Sequence, residues 1–319
     1  GSAAKIMTGA PIPAGADTIV RVEDTRPEGG DVVILRGGEK GAHIRRPGED
    51  IRAGELVLER GRALTPADVG LLASIGKTLV LVRQRPRVAI VSTGNELVEA
   101  DDAVAPGQVV NSNAYTLAAA VREAGGVPVP LPIARDTLAD IRALLLQAAR
   151  CDAILSTGGV SVGEFDYVKR VMDEIGVRRL FWRVAQKPGK PLTFGTLSGR
   201  PWFGLPGNPV SSLVCFYLYA RPALRKMMGL TTLHLPTVEA LLADDTRKAE
   251  NLTEFIRCRL EQRDGTLVAA STGTQSSGVL RSMSTGQGLI VGPAESMMLA
   301  AASRVRVILL EGASADPPF

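Results

Sequence analysis

At 319 residues the chain has room for two or three domains of ordinary size, and 45% hydrophobic with 22% charged residues is the composition of a soluble globular protein. No run approaches the ~18 apolar residues of a membrane span, so membrane insertion is not expected. The net charge of +4 is spread along the chain without interleaved aromatics, which argues against a nucleic-acid interface. Three widely separated cysteines, Cys151, Cys215 and Cys258, argue against a disulfide framework and fit a reducing cytoplasm, each as a small buried hydrophobe. With only His43 and His234, a multi-histidine metal site is excluded and a Ser-His triad disfavoured. The opening Gly1-Ser2 resembles the remnant of a cleaved tag.

Residues 1–50 are rich in Gly, Pro and short β-branched runs, and predict a small β-rich unit with strands at Thr18–Val22 and Asp31–Leu35. In a linker region over 51–82, Thr65-Pro-Ala-Asp68 has capping-box spacing and opens a predicted helix through Ile75, with Pro66 in its first turn and Gly76 past its end. Strands and helices then alternate over 83–229. The predicted order is strand Arg87–Ser92, a helix capped by Asn113 and ended by Gly125-Gly126, strand Val127–Ile133, helix Thr137–Ala149, strand 152–157, helix 166–175 and strand 178–185. A hairpin of Leu192–Thr196 and Trp202–Leu205 follows, then a helix from Pro209 to about Met228, capped by Asn208 and kinked or split at Pro222. This alternation predicts an α/β domain whose doubly wound, mostly parallel sheet is covered by helices on both faces. Residues 230–319 turn to short strands, such as Phe255–Leu260, Thr266–Ala270 and Arg304–Leu310, and predict a C-terminal β-barrel-like domain.

The segment Ser156-Thr-Gly-Gly-Val-Ser-Val-Gly-Glu-Phe-Asp-Tyr167 carries the first chemical signal. Gly158 and Gly163 have the spacing of a G-x-x-x-x-G-K-S/T phosphate loop, but Glu164 stands in the lysine position, so the loop is not that of a P-loop ATPase. A glycine turn between strand and helix still aims N–H groups at an anion, and Glu164 and Asp166 at its mouth make sense if a divalent cation bridges protein and phosphate. Two further strand ends carry glycine turns, Ser92-Thr-Gly-Asn-Glu-Leu97 and Leu205-Pro-Gly-Asn-Pro209. Ligands of open α/β sheets bind beyond the carboxyl ends of the strands, so the three turns are expected to converge on one crevice. Each alone would be an ordinary strand-to-helix turn.

Gln186-Lys-Pro-Gly-Lys-Pro191 sets two ammonium groups on a stretch stiffened by prolines, suited to a multiply charged anion or else to a solvated turn. Glu96, Asp166 and Asp50 are carboxylates beside turns that together suit Mg²⁺ with phosphate oxygens completing its shell. Asp50 in Arg45-Arg-Pro-Gly-Glu-Asp50 equally suits a surface turn, and Arg45 and Arg46 suit either phosphate or solvent.

These segments, with Ile6-Met-Thr-Gly-Ala-Pro-Ile-Pro13, Arg46-Pro-Gly-Glu-Asp-Ile51 and Leu205-Pro-Gly-Asn-Pro-Val-Ser211, resemble the molybdopterin molybdenumtransferases, the MoeA and gephyrin E-domain family, in order and over almost the whole chain. The resemblance implies a Mg²⁺-dependent enzyme that inserts molybdate into adenylylated molybdopterin and releases AMP, with an α/β domain like those of the MoaB and Mog proteins. It implies that Asp166, Glu96 and Asp50 surround metal and phosphate, with Thr8 from the β-rich unit. It implies that Lys187, Lys190 and Ser211 receive molybdate, with Arg257 and Ser277 as looser matches. Ser92, Thr93, Gly94, Thr157, Gly158, Gly159, Ser161, Gly163, Pro206, Gly207, Asn208 and Pro209 would form the turns that bind substrate. It also implies a molybdopterin adenylyltransferase as the delivering partner and a homodimer for the full-length member, whose pattern includes residues before the Ile6 segment. Two other readings are a gephyrin-like scaffold for membrane receptors and an adenylyltransferase; the flanking β-rich units and the lysine pair argue against the second.

Overall fold

The computed structural model describes residues 2–158, 171–172 and 174–310, so the predicted 166–175 helix lies largely outside the described residues. The chain packs as two compact units, Gly1–Glu59 and Arg60–Phe319. In the first, β1 (Thr25–Glu28) and β2 (Asp31–Ile34) form a hairpin. The predicted strand at Thr18–Val22 is not formed. A two-residue turn pairs the residues that flank it, and Gly29-Gly30 sets Glu28 against Asp31, which recruits Thr25–Glu28 instead.

The second unit opens with α1 (Pro66–Ser74), whose predicted capping box is present: Asp68 N–H donates to Thr65 Oγ1 at 3.3 Å and Thr65 N–H to Asp68 Oδ2 at 2.8 Å. Its main sheet is built from β3 (Arg87–Ser92), β6 (Val127–Pro130), β7 (Ala153–Thr157), β8 (Arg178–Trp182), β10 (Thr193–Leu197) and β11 (Arg200–Leu205). A small parallel pair, β4 (Leu97–Val98) and β5 (Val109–Val110), lies outside it. The order is β6-β3-β7-β11-β10-β8; the first four strands are parallel, and β10 is antiparallel to both β11 and β8.

Strands covered on both faces need apolar residues at both phases of the pleat, and β3 has them. Val88 and Ile90 join one core with α2 (Ser112–Glu123) and α4 (Pro209–Cys215), while Ala89 and Val91 join the other with α3 (Leu138–Ala148). The sheet is therefore doubly wound, as the sequence predicts. The helix after Pro209 splits where expected. Proline lacks the N–H of the helical ladder and its ring crowds the carbonyl four residues back. Just before Pro222 the chain widens into a π-turn, Phe216–Ala220, and resumes as α5 (Arg221–Met227).

The C-terminal region is a closed five-stranded barrel. β12 (Thr237–Leu242), β14 (Thr253–Arg263), β15 (Thr266–Ser271), β16 (Gly288–Gly292) and β18 (Arg304–Leu309) run in the order β15-β12-β18-β16-β14, and β14 pairs β15 to close the ring. Its interior is filled by Leu242, Ile256, Cys258, Ala269, Ile290 and Val307. A sixth strand, β9 (Gln186–Lys187), lies parallel to the start of β14.

Trp202 is buried in the sheet, and its Nε1–H donates to Ser156 Oγ at 2.9 Å, one residue before the end of β7. Ser156→Ala leaves that N–H unpaired, and a loss of about 1–3 kcal/mol is expected from urea unfolding. Burial pushes the Cys215 and Cys258 thiols up to about 12 from 9.0, so the folded chain holds these protons more tightly than the unfolded one. Their contribution to stability is full below pH 9.0 and lost as pH rises toward 12. A thiol reagent at about pH 8 is expected to label neither until the chain is unfolded.

Candidate active site

The chain runs from β3 out to β6 and back past β3 to β7, so strand order reverses between β3 and β7. That is where an open sheet offers a crevice. Register brings the ends together, with Ser92 opposite Thr157 and Thr157 opposite Leu205. Beyond them, Thr93 N–H donates to Thr157 O at 3.1 Å. Gly158 has φ +84°, and a Cβ there would fall inside contact distance of Thr93 O, so only glycine lets the two turns close on each other. The third turn is tied in by Asn113, whose Nδ2 donates to Thr157 Oγ1 at 2.8 Å and to Gly207 O at 2.7 Å. Asn113 is therefore not the cap of α2. Asn111 holds the N-cap position, and the Asn113 side chain, inside the first turn, stitches the predicted crevice together.

The crevice holds buried polar atoms with capacity to spare. Ser92 Oγ, Thr93 Oγ1 and Asn113 Oδ1 make no hydrogen bond to any described residue. Polar atoms out of water without partners are costly, and their gathering at a glycine-turn crevice marks it as the candidate site. Glu96 is exposed, and its carboxylate folds back over Gly94 so that both oxygens lie 2.6 Å from where a Cβ of Gly94 would stand. The neighbouring Asp136 accepts from Asn95 N–H at 3.0 Å and fixes this loop.

Asn208 stands at the N-cap position of α4, but its side chain makes no cap. Its Nδ2 donates to Ser277 Oγ at 3.0 Å, and Val210 N–H donates to Ser277 O at 3.2 Å, so the barrel's 275–277 loop docks on the Pro206–Pro209 turn. Arg257 is buried beneath that loop, donating from Nε to Ser282 Oγ at 3.1 Å and from an Nη to Ser276 O at 3.0 Å. Burial lowers its pKa and the charge of Glu254 raises it back toward the ordinary value. Arg257 thus supports the loop from within the barrel.

The lysine turn lies against α4, with a Cβ on Gly189 falling 3.6 Å from the carbonyl of buried Ser211. Lys187 Nζ pairs at 3.0 Å with Glu254 Oε1 of β14, the lysine half exposed and the glutamate buried. Lys190 is exposed beside an open groove with Arg183 and Asn251. Thr8 and Asp50 are exposed residues of the first unit, Asp50 following a turn in which Glu49 accepts from Arg46 N–H at 2.9 Å. Gly159, Ser161, Gly163 and Asp166 lie outside the described residues. Among the described residues no group of three metal-ligating side chains is preformed.

Three family models match in succession: the MoeA N-terminal region (domains I and II) over residues 1–76, a probable molybdopterin binding domain over 89–226, and the MoeA C-terminal region (domain IV) over 239–310. Molybdopterin molybdenumtransferase 2 of Mycobacterium tuberculosis is 39% identical over 312 residues, covering 96% of this chain and 76% of that protein. This chain belongs to the MoeA family. The molybdopterin molybdenumtransferase of Bacillus subtilis is 34% identical over 313 residues, covering 97% and 73% of the two chains. The crystal structure of a MoeA protein of molybdopterin biosynthesis from Pyrococcus horikoshii superposes with a TM-score of 0.77 at 30% identity, covering 95% of this chain and 74% of that one. In this MoeA family member the three turns meet at the strand ends, the barrel loop docks on the third of them, and the lysine turn lies against α4, the helix that follows it.

Three residues of this arrangement escape sequence reading. Asn113 passes for a helix cap and Asp136 for a loop residue. Glu254 leaves a trace: it shares the inward phase of β14 with Ile256 and Cys258, where a carboxylate is out of place without a partner.

Gly158 and Gly199 have similar positive φ, 84° and 77°, but only Gly158 is crowded. Gly158→Ala is therefore expected to lower the unfolding free energy, read from urea titration, by well over the roughly 1 kcal/mol strain of Gly199→Ala, the difference measuring the contact between turns.

Proposed function

We propose that this chain is a molybdopterin molybdenumtransferase of molybdenum cofactor biosynthesis, inserting molybdate into adenylylated molybdopterin with release of AMP. The observation that carries the reading is the crevice between β3 and β7, where the Ser92 and Thr93 hydroxyls have no hydrogen-bond partner among the described residues and the barrel loop docks on the adjoining 206–209 turn. Hydroxyls and turn N–H groups suit the oxygens of a phosphoryl linkage, and lysine point charges suit the compact oxyanion MoO₄²⁻. In this reading Ser92, Thr93, Thr157 and the 158–163 and 206–209 turns hold the adenylylated substrate, while Lys187, Lys190 and Ser211 collect molybdate beside it. Arg257 and Ser277 keep the barrel loop in place. The substrate's own dithiolene sulfurs accept the metal, so no side chain has to form a covalent intermediate.

Mg²⁺ is proposed as the companion ion, and the donors fit it. Such ions are held by one or two carboxylates plus substrate phosphates rather than by a complete protein cage, and Glu96 offers one carboxylate at the crevice mouth. Asp166 is a further proposed ligand, and Asp50 and Thr8 are the first unit's proposed contributors to metal and phosphate binding. When bound, the ion would neutralise and polarise the phosphoryl oxygens. A molybdopterin adenylyltransferase would supply the substrate, and the protein would work as a homodimer. Three unpaired cysteines fit a cytoplasmic setting, and no helix among the described residues is long and apolar enough to cross a membrane.

The test is AMP release from adenylylated molybdopterin with Mg²⁺, with and without molybdate. Molybdate-dependent release is expected; ATP consumption without molybdate would point to an adenylyltransferase instead. Losing a charge-assisted contact costs about 1.5–3 kcal/mol, so Lys190→Ala is expected to lower kcat/KM for molybdate roughly 10- to 150-fold. Asp166→Asn is expected to lower turnover and raise the Mg²⁺ requirement. Wild-type rates in either variant would remove that residue from the site.

A further inference from the structure

Beneath the lysine turn lies a polar network whose members the reaction does not use directly. Gln186, the residue before Lys187, is 3% exposed and turns its carboxamide inward. Its Nε2 donates to Pro188 O at 2.9 Å and toward Cys215 Sγ at 3.6 Å, and its Oε1 accepts from Tyr219 O–H at 2.5 Å. Cys215 S–H in turn donates to Gly189 O at 3.6 Å. Cys215 ends α4 and Tyr219 sits in the π-turn, so one continuous stretch of helix reaches the turn from below.

The consequences for the turn are specific. Pro188 and Gly189 are the two residues between the lysines, and both their carbonyls are held by side-chain donors from this network. Because a carbonyl only accepts, the Gln186 amide must face Pro188 with its NH₂ end, and Tyr219 completes that choice by donating to the other end. The Cys215 thiol donates only while protonated, which its burial secures. There is no slack: a Cβ on Gly189 would lie 2.8 Å from Gln186 Nε2 and inside contact of Cys215 Sγ. From the other side, the pairing of Gln186 with Thr253 and of Lys187 with Glu254 holds the start of the turn to the barrel.

We infer that Tyr219, Gln186 and Cys215 are positioning residues that set the turn from which Lys187 and Lys190 are presented, and so set the affinity for a tetrahedral dianion. The inference rests on the proposed role of the two lysines. A loose turn would still carry two ammonium groups, but each would have to be ordered when the anion binds, at a cost in affinity.

Tyr219→Phe removes one hydroxyl without changing shape, and Gln186→Leu removes both ends of the amide; both are compared with wild type and Lys190→Ala. Binding of molybdate and tungstate alone is read by calorimetry, the two Michaelis constants and kcat by AMP release, and folding by thermal melting. The expected result is a molybdate Kd and KM raised about five- to tenfold in Tyr219→Phe and more in Gln186→Leu. With them, kcat and the KM for adenylylated molybdopterin should stay within about twofold and Tyr219→Phe should melt as wild type. Molybdate binding unchanged in a folded Tyr219→Phe and Gln186→Leu would overturn the inference, as would parallel loss of both substrates with a lowered melting temperature. If Lys190→Ala also bound molybdate like wild type, the reading of the lysines would fall and the inference with it.

Discussion

The contact between the Gly158 turn and the Thr93 carbonyl is the constraint on which the crevice depends. Two parallel strands in register deliver their ends side by side, but side by side is not close enough to make a site. Closure needs one turn to present a backbone with no side chain to the carbonyl of the other. Once they close, the Thr157 hydroxyl faces Asn113 and the Asn113 amide reaches Gly207, so the third turn is captured by hydrogen bonds rather than by sheet pairing. The Thr93 hydroxyl lies against Gly158 in the same closure, and it and the Ser92 hydroxyl are out of water without a partner among the described residues.

The barrel completes what the α/β domain cannot supply. Asn208 and Val210 bind the 275–277 loop, buried Arg257 props that loop, and Glu254 holds Lys187. Each side of this junction contributes groups whose geometry is set by the other. Lys187 is neutralised locally by a carboxylate on the barrel, while Lys190 stays exposed, so the two lysines are not equivalent even though they occupy symmetric places in the Lys-Pro-Gly-Lys segment.

Much of this was legible in the sequence because it depends on local pattern. The doubly wound sheet follows from strand-helix alternation and from a β3 apolar at both pleat phases. The convergence of the glycine turns follows from the rule that binding sites lie beyond strand carboxyl ends. The split at Pro222 follows from its missing N–H and the bulk of its ring, although the π-turn that absorbs it does not. What was not legible depends on contacts distant in the chain. Asn113 lies inside the first turn of α2 and Asn208 at an N-cap position, and the side chains of both are taken up by distant partners, Gly207 and Ser277, 94 and 69 residues away. The first strand falls at Thr25–Glu28 for a local reason, since the Gly29-Gly30 turn dictates its own flanks.

The short strand β9 has a consequence beyond holding a lysine. Along its second half, β14 is covered by β15, and along its first half it would present unpaired N–H and C=O groups on that side. Such an open edge invites strand addition from another molecule. The two residues Gln186 and Lys187 occupy it, so the segment that presents the anion-binding groups also covers the barrel where edge-to-edge self-association would start.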